Sequence, residues 1–190
     1  MLEIFDILPG FDASSALPEL MDKLPEWRRA KALSYRTDID RFLCAKSFLM
    51  LDGMLRNRFG INRCPEFSIA EGGKPFLREY PDVHFSISHC RKGIACAVSD
   101  SPVGVDIEEI QFDAALAPVV LNADELAAVT AAEGPALAFT WLWTRKESYL
   151  KLTGEGIVNN LRDVLASARN ISFRTESNPA AGYVVTLAEK

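Results

Sequence analysis

The chain has few of the features that would place it quickly. No stretch approaches the roughly 18 uninterrupted apolar residues of a membrane helix. The N-terminal MLEIFDILPGFD has neither the basic region nor the cleavage site of a signal peptide, so a cytoplasmic protein is expected. The four cysteines, Cys44, Cys64, Cys90 and Cys96, form no C-x-x-C pair and have no histidine at metal spacing. They read as buried or half-buried free thiols, which pack as small hydrophobes. Sequence repeats, long linkers and low-complexity tracts are also absent.

What is present is an ordinary globular composition. Of 190 residues, 48% are apolar and 25% charged, which excludes disorder, collagen and coiled coil. The net charge of −5 argues against a general nucleic-acid binder. Residues 1–95 hold 14 basic and 13 acidic side chains, and residues 96–190 hold 7 and 13. The first half is thus at +1 and the second at −6, a split that a mixed solvated surface would also give.

Periodicity predicts an α+β chain whose two halves, 1–100 and 101–190, are each a mixed set of helices and antiparallel-looking strands. Each half is a small antiparallel sheet with packed helices. The first half is expected to run as a strand at 2–8, a helix at 16–33 and a longer helix at 38–58. Thr37 should cap the longer helix and Gly60 should end it. A strand pair at 64–80 and a hairpin of His84–His89 with Ile94–Val98 follow. The second half should open with strand Val103–Ile107. Helices across 113–153 come next, broken near Asn122 and Gly134-Pro135, and strands near 169–175 and 182–188 close the chain.

Three segments carry candidate chemistry. In Val103-Gly104-Val105-Asp106-Ile107-Glu108, strand alternation puts Asp106 and Glu108 side by side, about 7 Å apart between Cα atoms. Their repulsion would be relieved by a hard divalent cation, with Gly104 leaving room for a ligand. An acidic solvent-facing strand would show the same pattern. In Trp141 to Lys151, helical spacing puts Trp143, Glu147 and Lys151 on one face of a helix too apolar to be a plain surface element. A carboxylate and an ammonium there need partners. In Phe85-Ser86-Ile87-Ser88-His89-Cys90, behind Gly72-Gly73-Lys74-Pro75, the hydroxyls, imidazole and Gly-Lys loop are suitable partners for phosphate.

In order and spacing, G-K-P-F, F-S-I-S-H, G-V-D-I-E and W-T-R-K-E-S-Y-L-K-L-T-G-E-G resemble the 4′-phosphopantetheinyl transferases, over about Arg41 to Gly156. The length is similar to the two-half, surfactin-synthetase-activating type, a pseudo-twofold intramolecular dimer and monomer, although 190 residues is compact for it. The resemblance implies transfer of phosphopantetheine from coenzyme A to a serine of an apo acyl or peptidyl carrier protein. It implies Mg²⁺, with Mn²⁺ as an alternative, held by Asp106, Glu108 and Glu147. Lys151 would contact the pyrophosphate, and Glu147 is the first candidate for the base.

Ser86, Ser88 and His89 match the segment that holds coenzyme A phosphates. Gly73, Lys74 and Pro75 match the loop beside the nucleotide, and Arg41 matches a contact to the 3′-phosphate. Arg28, Arg29 and Lys31 are additional candidates for that contact. Ser86 stands where asparagine is common in the family, and Cys90 where a small hydroxyl residue is frequent. The implied partner is an acidic helical bundle, for which Arg56, Arg58, Arg63 or Arg145 are candidate contacts. Neither nucleic acid nor membrane is expected as a partner. The rival readings are a coenzyme A or carrier-protein binder without transfer, and another Mg²⁺-dependent phosphate enzyme.

Overall fold

A computed structural model of the chain describes residues 1–156 and 160–190. The longest helix shows why the local sequence forms what it does. In α3 (Asp38–Phe59) the Thr37 hydroxyl accepts the Asp40 N–H, with Asp38 and Asp40 in the first turn and Arg56 and Arg58 in the last, matching the helix dipole. Gly60 closes it at φ 66°, a left-handed conformation that glycine adopts without penalty. Phe42, Leu43, Leu51, Met54 and Leu55 of α3 join Phe85, Ile94, Cys96 and Val98 in the core of the first half.

Before α3 come strand β1 (Leu2–Asp6) and helices α1 (Ala13–Asp22) and α2 (Glu26–Leu33). The single helix expected at 16–33 is thus two. Pro25 has no N–H to donate and disfavours a helical Leu24, so the chain turns there and α2 starts afresh. After α3, the short strands β2 (Phe67–Ile69) and β3 (Pro75–Leu77) pair across the Gly72-Gly73 turn. Strands β4 (His84–Cys90) and β5 (Gly93–Ser99) form the expected hairpin.

The second half runs β6 (Val103–Glu109), α4 (Ala117–Val120), α5 (Ala123–Ala131), α6 (Pro135–Thr153), β7 (Ser172–Asn178) and β8 (Tyr183–Glu189). The strand expected near 169–175 starts three residues later, because a short 3-10 helix at Val164–Ser167 occupies the approach and Asn170 turns at φ 66°. Both breaks expected in the helical region are present. Asn122 starts α5 with a reciprocal capping box to Glu125, and Pro135 sits in the first turn of α6.

The fold is α+β, and its two three-stranded sheets are wired alike. Their orders are β1-β5-β4 and β6-β8-β7, so in each the first strand pairs with the last and the last two form a hairpin. The registers agree as well. His84 faces Ser99 and Ser172 faces Glu189, the first residue of one seven-residue strand against the last of the next.

The two sheets share an apolar seam in which Ala95 and Ala97 of β5 meet Val103, Val105 and Ile107 of β6 and Val185 and Leu187 of β8. The Tyr183 hydroxyl donates to Asp6 across the same seam, 2.8 Å away.

Gly104 has a different role from the one its sequence context implied. A Cβ there would lie 2.0 Å from the Ser148 carbonyl oxygen and 2.4 Å from the Leu152 nitrogen. Its missing side chain admits helix α6 against β6 and leaves no room for a ligand. Of the cysteines, Cys44 and Cys96 are buried and Cys90 half-buried, while Cys64 is exposed. Among the described residues no helix is long and apolar enough to cross a membrane.

Gly104→Ala should therefore force two backbone segments apart. The expected cost is about 3 kcal/mol, seen as a fall in Tm of roughly 5–10 °C. An unchanged melting curve would remove the close helix–strand approach from the account.

Candidate active site

The site forms where three elements meet: β4 from the first half, and β6 and α6 from the second. Alternation along β6 sends Val103, Val105 and Ile107 into the seam, leaving Asp106 and Glu108 on the other face. Asp106 is only 1% exposed, which excludes the solvent-facing strand reading. Its Oδ1 accepts from the Ser88 hydroxyl at 2.9 Å and from the Lys151 ammonium at 2.6 Å. Lys151 also donates to the Ser88 oxygen at 2.8 Å. The other oxygen, Oδ2, is buried and has no hydrogen-bond partner.

A buried carboxylate oxygen without a donor is costly unless a cation or a proton reaches it. The neighbouring acids record the same excess of negative charge. Burial first, then the Asp106 charge, pushes the Glu108 carboxyl up to about 7, with Glu147 adding to the rise while Lys151 and the Trp143 indole oppose it. Burial and Asp106 likewise raise Glu147, and Lys151 opposes. As they stand, these acids are not gathered into a metal cluster: among the described residues no three His, Cys, Asp or Glu side chains meet closely enough to hold an ion. The chemistry of the set fits a hard divalent cation all the same. Three carboxylates offer hard oxygen donors, one of the Asp106 oxygens has no partner, and burial and Asp106 raise the other two acids.

A cavity of about 300 Å³ lies beside Glu147; Asp106, Glu108, Ser88 and His89 are not among the residues that line it. Gly73, Lys74, Pro75, Ser86, Glu147 and Lys151 all line it. Phe85, Ile87 and Leu150 supply apolar wall that sequence reasoning did not assign, although the first two alternate with Ser86 in β4. Gly73 makes the bordering turn at φ 86°, its N–H reaching the Ala70 carbonyl at 2.8 Å.

Other predicted residues are placed less directly. The Ser86 hydroxyl oxygen accepts the Val105 N–H at 3.0 Å, so it ties β4 to β6 as well as facing the cavity. Lys74 points its ammonium at two backbone carbonyls, Val103 at 3.0 Å and Leu152 at 2.9 Å. His89 is exposed at the end of β4. Partial burial of its ring, then the Lys151 charge and more weakly Arg28, lowers its pKa from the ordinary histidine value, while a backbone hydrogen bond and Asp40 oppose the shift.

Arg41 is not in the cavity wall. Its guanidinium is held by Asp38 at 2.8 Å and donates to the Tyr35 carbonyl at 3.0 Å. Nearby, Arg28 donates to the Cys44 carbonyl and Arg29 to that of Met21. Lys31 lies over the Tyr35 ring. The four arginines considered for docking are engaged too: Arg56 with Asp52, Arg58 with Asp100, Arg63 with Glu79, and Arg145 between the Trp141 and Phe173 rings.

Lys146 was missed altogether. Fully buried, it donates to the Val120, Leu161 and Arg162 carbonyls and to Glu125, pinning α4, α5 and the chain after the Gly154–Gly156 loop to α6. The signal was there: Lys146 falls in the apolar stripe of Phe139, Trp143 and Leu150, where a lysine must find buried acceptors.

Residues 102–187 match the sequence model of the 4′-phosphopantetheinyl transferase superfamily, a span that takes in β6, α6 and all three acids. Over that span the chain is similar to that superfamily. It is 41% identical over 103 residues to the 4′-phosphopantetheinyl transferase psf-1 of Bacillus pumilus, a match covering 53% of this chain and 44% of that one. It is 34% identical over 94 residues to the 4′-phosphopantetheinyl transferase Sfp of Bacillus subtilis, covering 48% and 42%. A longer match, 28% identical over 160 residues, covers 75% of the chain and 57% of the L-aminoadipate-semialdehyde dehydrogenase-phosphopantetheinyl transferase of Saccharomyces cerevisiae. The matched stretch thus spans less than half the length of the two Bacillus relatives.

The raised Glu108 carboxyl has a measurable signature in the protein stripped of divalent ions. A carboxyl whose folded pKa exceeds its ordinary 4.5 contributes stability below that value and loses it as pH rises through about 7. Glu108→Gln should therefore match the parent near pH 4.5 and exceed it at pH 8. The gain should reach up to about 3 kcal/mol, or several degrees in Tm. Parallel Tm–pH curves for the two proteins would remove Glu108 from the strained acid group.

Proposed function

We propose that the chain transfers the 4′-phosphopantetheine group from coenzyme A to a serine hydroxyl of an apo acyl or peptidyl carrier protein, releasing 3′,5′-ADP. The observation that carries this reading is the Ser88–Asp106–Lys151 group, in which Lys151 lines the cavity and Asp106 and Lys151 fall within the stretch that matches the superfamily. It is supported by three relatives whose own names are those of 4′-phosphopantetheinyl transferases. In this reading the chain is a cytoplasmic monomer of two halves, 1–100 and 101–190, and its partner is an acidic helical bundle.

Asp106, Glu108 and Glu147 are the residues proposed to hold Mg²⁺ or Mn²⁺. When bound, such an ion would neutralise negative charge on the pyrophosphate. Every other task falls to side chains and backbone of the chain. The Gly73-Lys74-Pro75 turn, Ser86, Ser88 and His89 border the nucleotide and its phosphates, with Arg41 on the 3′-phosphate side. An ammonium has three protons, and Lys151 spends two on Asp106 and Ser88. The third is left for a pyrophosphate oxygen, where it offsets charge as the 3′,5′-ADP departs.

In the reaction the serine oxygen bonds to the β-phosphorus of coenzyme A. The phosphoanhydride P–O bond breaks, and its electron pair leaves with 3′,5′-ADP. The serine proton goes to Glu147, the one of the three acids that lines the cavity. The apolar wall of Phe85, Ile87 and Leu150 limits water, the competing nucleophile.

Intact-mass spectrometry of several apo carrier proteins, incubated with coenzyme A, Mg²⁺ and this protein, tests the reading. The parent should add one phosphopantetheine mass. Asp106→Asn, with its fold checked by melting, should fall by about a thousandfold or more, roughly 4 kcal/mol in barrier. Near-normal turnover by that variant would sink the acid site. Thermal stabilisation by coenzyme A with no mass added to any carrier would favour a binder without transfer.

A further inference from the structure

We propose that Lys74 is a positioning residue, a strut that fixes the turn beside the nucleotide to the C-terminal end of helix α6. Its effect on substrate rests on the coenzyme A reading above; the strut itself does not.

The loop and the helix come from opposite halves of the chain and touch at backbone level. A Cβ on Gly72 would fall 1.7 Å from the Gly154 carbonyl oxygen, so the turn and the loop that ends α6 interlock only because residue 72 is glycine. One on Gly156 would lie 3.2 Å from the Gly72 oxygen. The Lys74 stem covers the same contact, with its Cβ and Cδ 3.2 and 3.3 Å from where a Gly154 side chain would begin.

The ammonium then completes the joint. It donates to the Leu152 carbonyl, one of the last-turn carbonyls of α6 that lack an intrahelical partner, and to the Val103 carbonyl at the start of β6. A cation at a helix C-terminus is also favoured by the helix dipole. Among the described residues no carboxylate pairs with it; the charge is spent on backbone oxygens of the second half. Lys151 lies on the final turn of the same helix and Glu147 one turn earlier. Whatever the turn holds is therefore registered against those two side chains.

The stem also separates two cavities. That of about 300 Å³ lies on the side of Ser86 and Lys151, and one of about 370 Å³ on the side of His84 and Pro102; Lys74, Pro75, Phe85 and Gly154 line both. Removing the ammonium should let the turn shift toward either space.

The test compares Lys74→Met, Lys74→Arg and Gly72→Ala. Hydrogen exchange without substrate should rise about tenfold or more in Lys74→Met, at residues 72–74 and 153–156 together, and stay near parental in Lys74→Arg. Coenzyme A should bind about tenfold more weakly to Lys74→Met with an unchanged dependence on salt, because no phosphate contact has been removed. Gly72→Ala should reproduce both effects without touching a charge, and the double variant should be no worse than the worse single one. Unchanged exchange in Lys74→Met, with weaker binding and a flatter salt dependence, would overturn the strut in favour of direct contact with phosphate. Additive effects of the two substitutions would overturn it as well. If exchange rises as expected but the parent binds no coenzyme A, the strut stands and the coenzyme A reading fails.

Discussion

The site depends on one carboxylate buried where strand β4 and helix α6 meet β6. At 1% exposure Asp106 is reached by the Ser88 hydroxyl from β4 and by the Lys151 ammonium from α6. Those two donors come from different halves of the chain, so the seam and the site are one construction. The Ser86 hydroxyl meeting the Val105 N–H repeats the pattern two residues away. With Oδ1 doubly occupied and Oδ2 unpartnered, compensation is incomplete. Burial first and the Asp106 charge second raise Glu108 and Glu147, so the corner gathers carboxylates that are costly to keep ionised.

Much of this was legible in the sequence wherever one local rule governs one residue. Thr37 and Gly60 bound α3 because capping depends on a hydroxyl at one end and a left-handed residue at the other. Alternation along Val103–Glu109 put the acids on one face, and helical spacing brought Glu147 and Lys151 together. What escaped depends on a distant partner. Gly104 looked like space for a ligand because nothing nearby in sequence reveals that α6 fills it. Gly72 meets Gly154, more than eighty residues away. Arg41 was matched to a phosphate, but its local partners Asp38 and Tyr35 hold it outside the cavity wall.

The three lysines of the region illustrate how environment sets the use of one side chain. Lys146 is wholly enclosed and spends its protons on three carbonyls and Glu125, so it fastens helices. Lys74 is stripped of much of its water, which brings its pKa down to about 8, and its ammonium is spent on two backbone carbonyls. Lys151 keeps 31% of its side chain exposed, faces a carboxylate and opens onto the cavity. Sequence shows three identical ammonium groups on or near one helix. Only the acceptors around them distinguish a clamp, a joint and a group free to meet a ligand.

The matching registers of the two sheets carry a further consequence. The fourth residue of β8, Thr186, faces Asp106, and the fourth residue of β5, Cys96, faces Glu3. Counting back from the left-handed glycines that end α6 and α3, Glu147 and Lys151 correspond to Gly53 and Asn57. Glu3, Gly53 and Asn57 do line a common hollow, the counterpart of the candidate site on the opposite side of the chain. The architecture thus offers the same corner twice and arms it once: in the first half the second acid has become a glycine and the lysine an amide. Phe42, Leu51 and Met54 of α3 meanwhile pack into the core of their own half, and the symmetry of the backbone is not matched by the side chains.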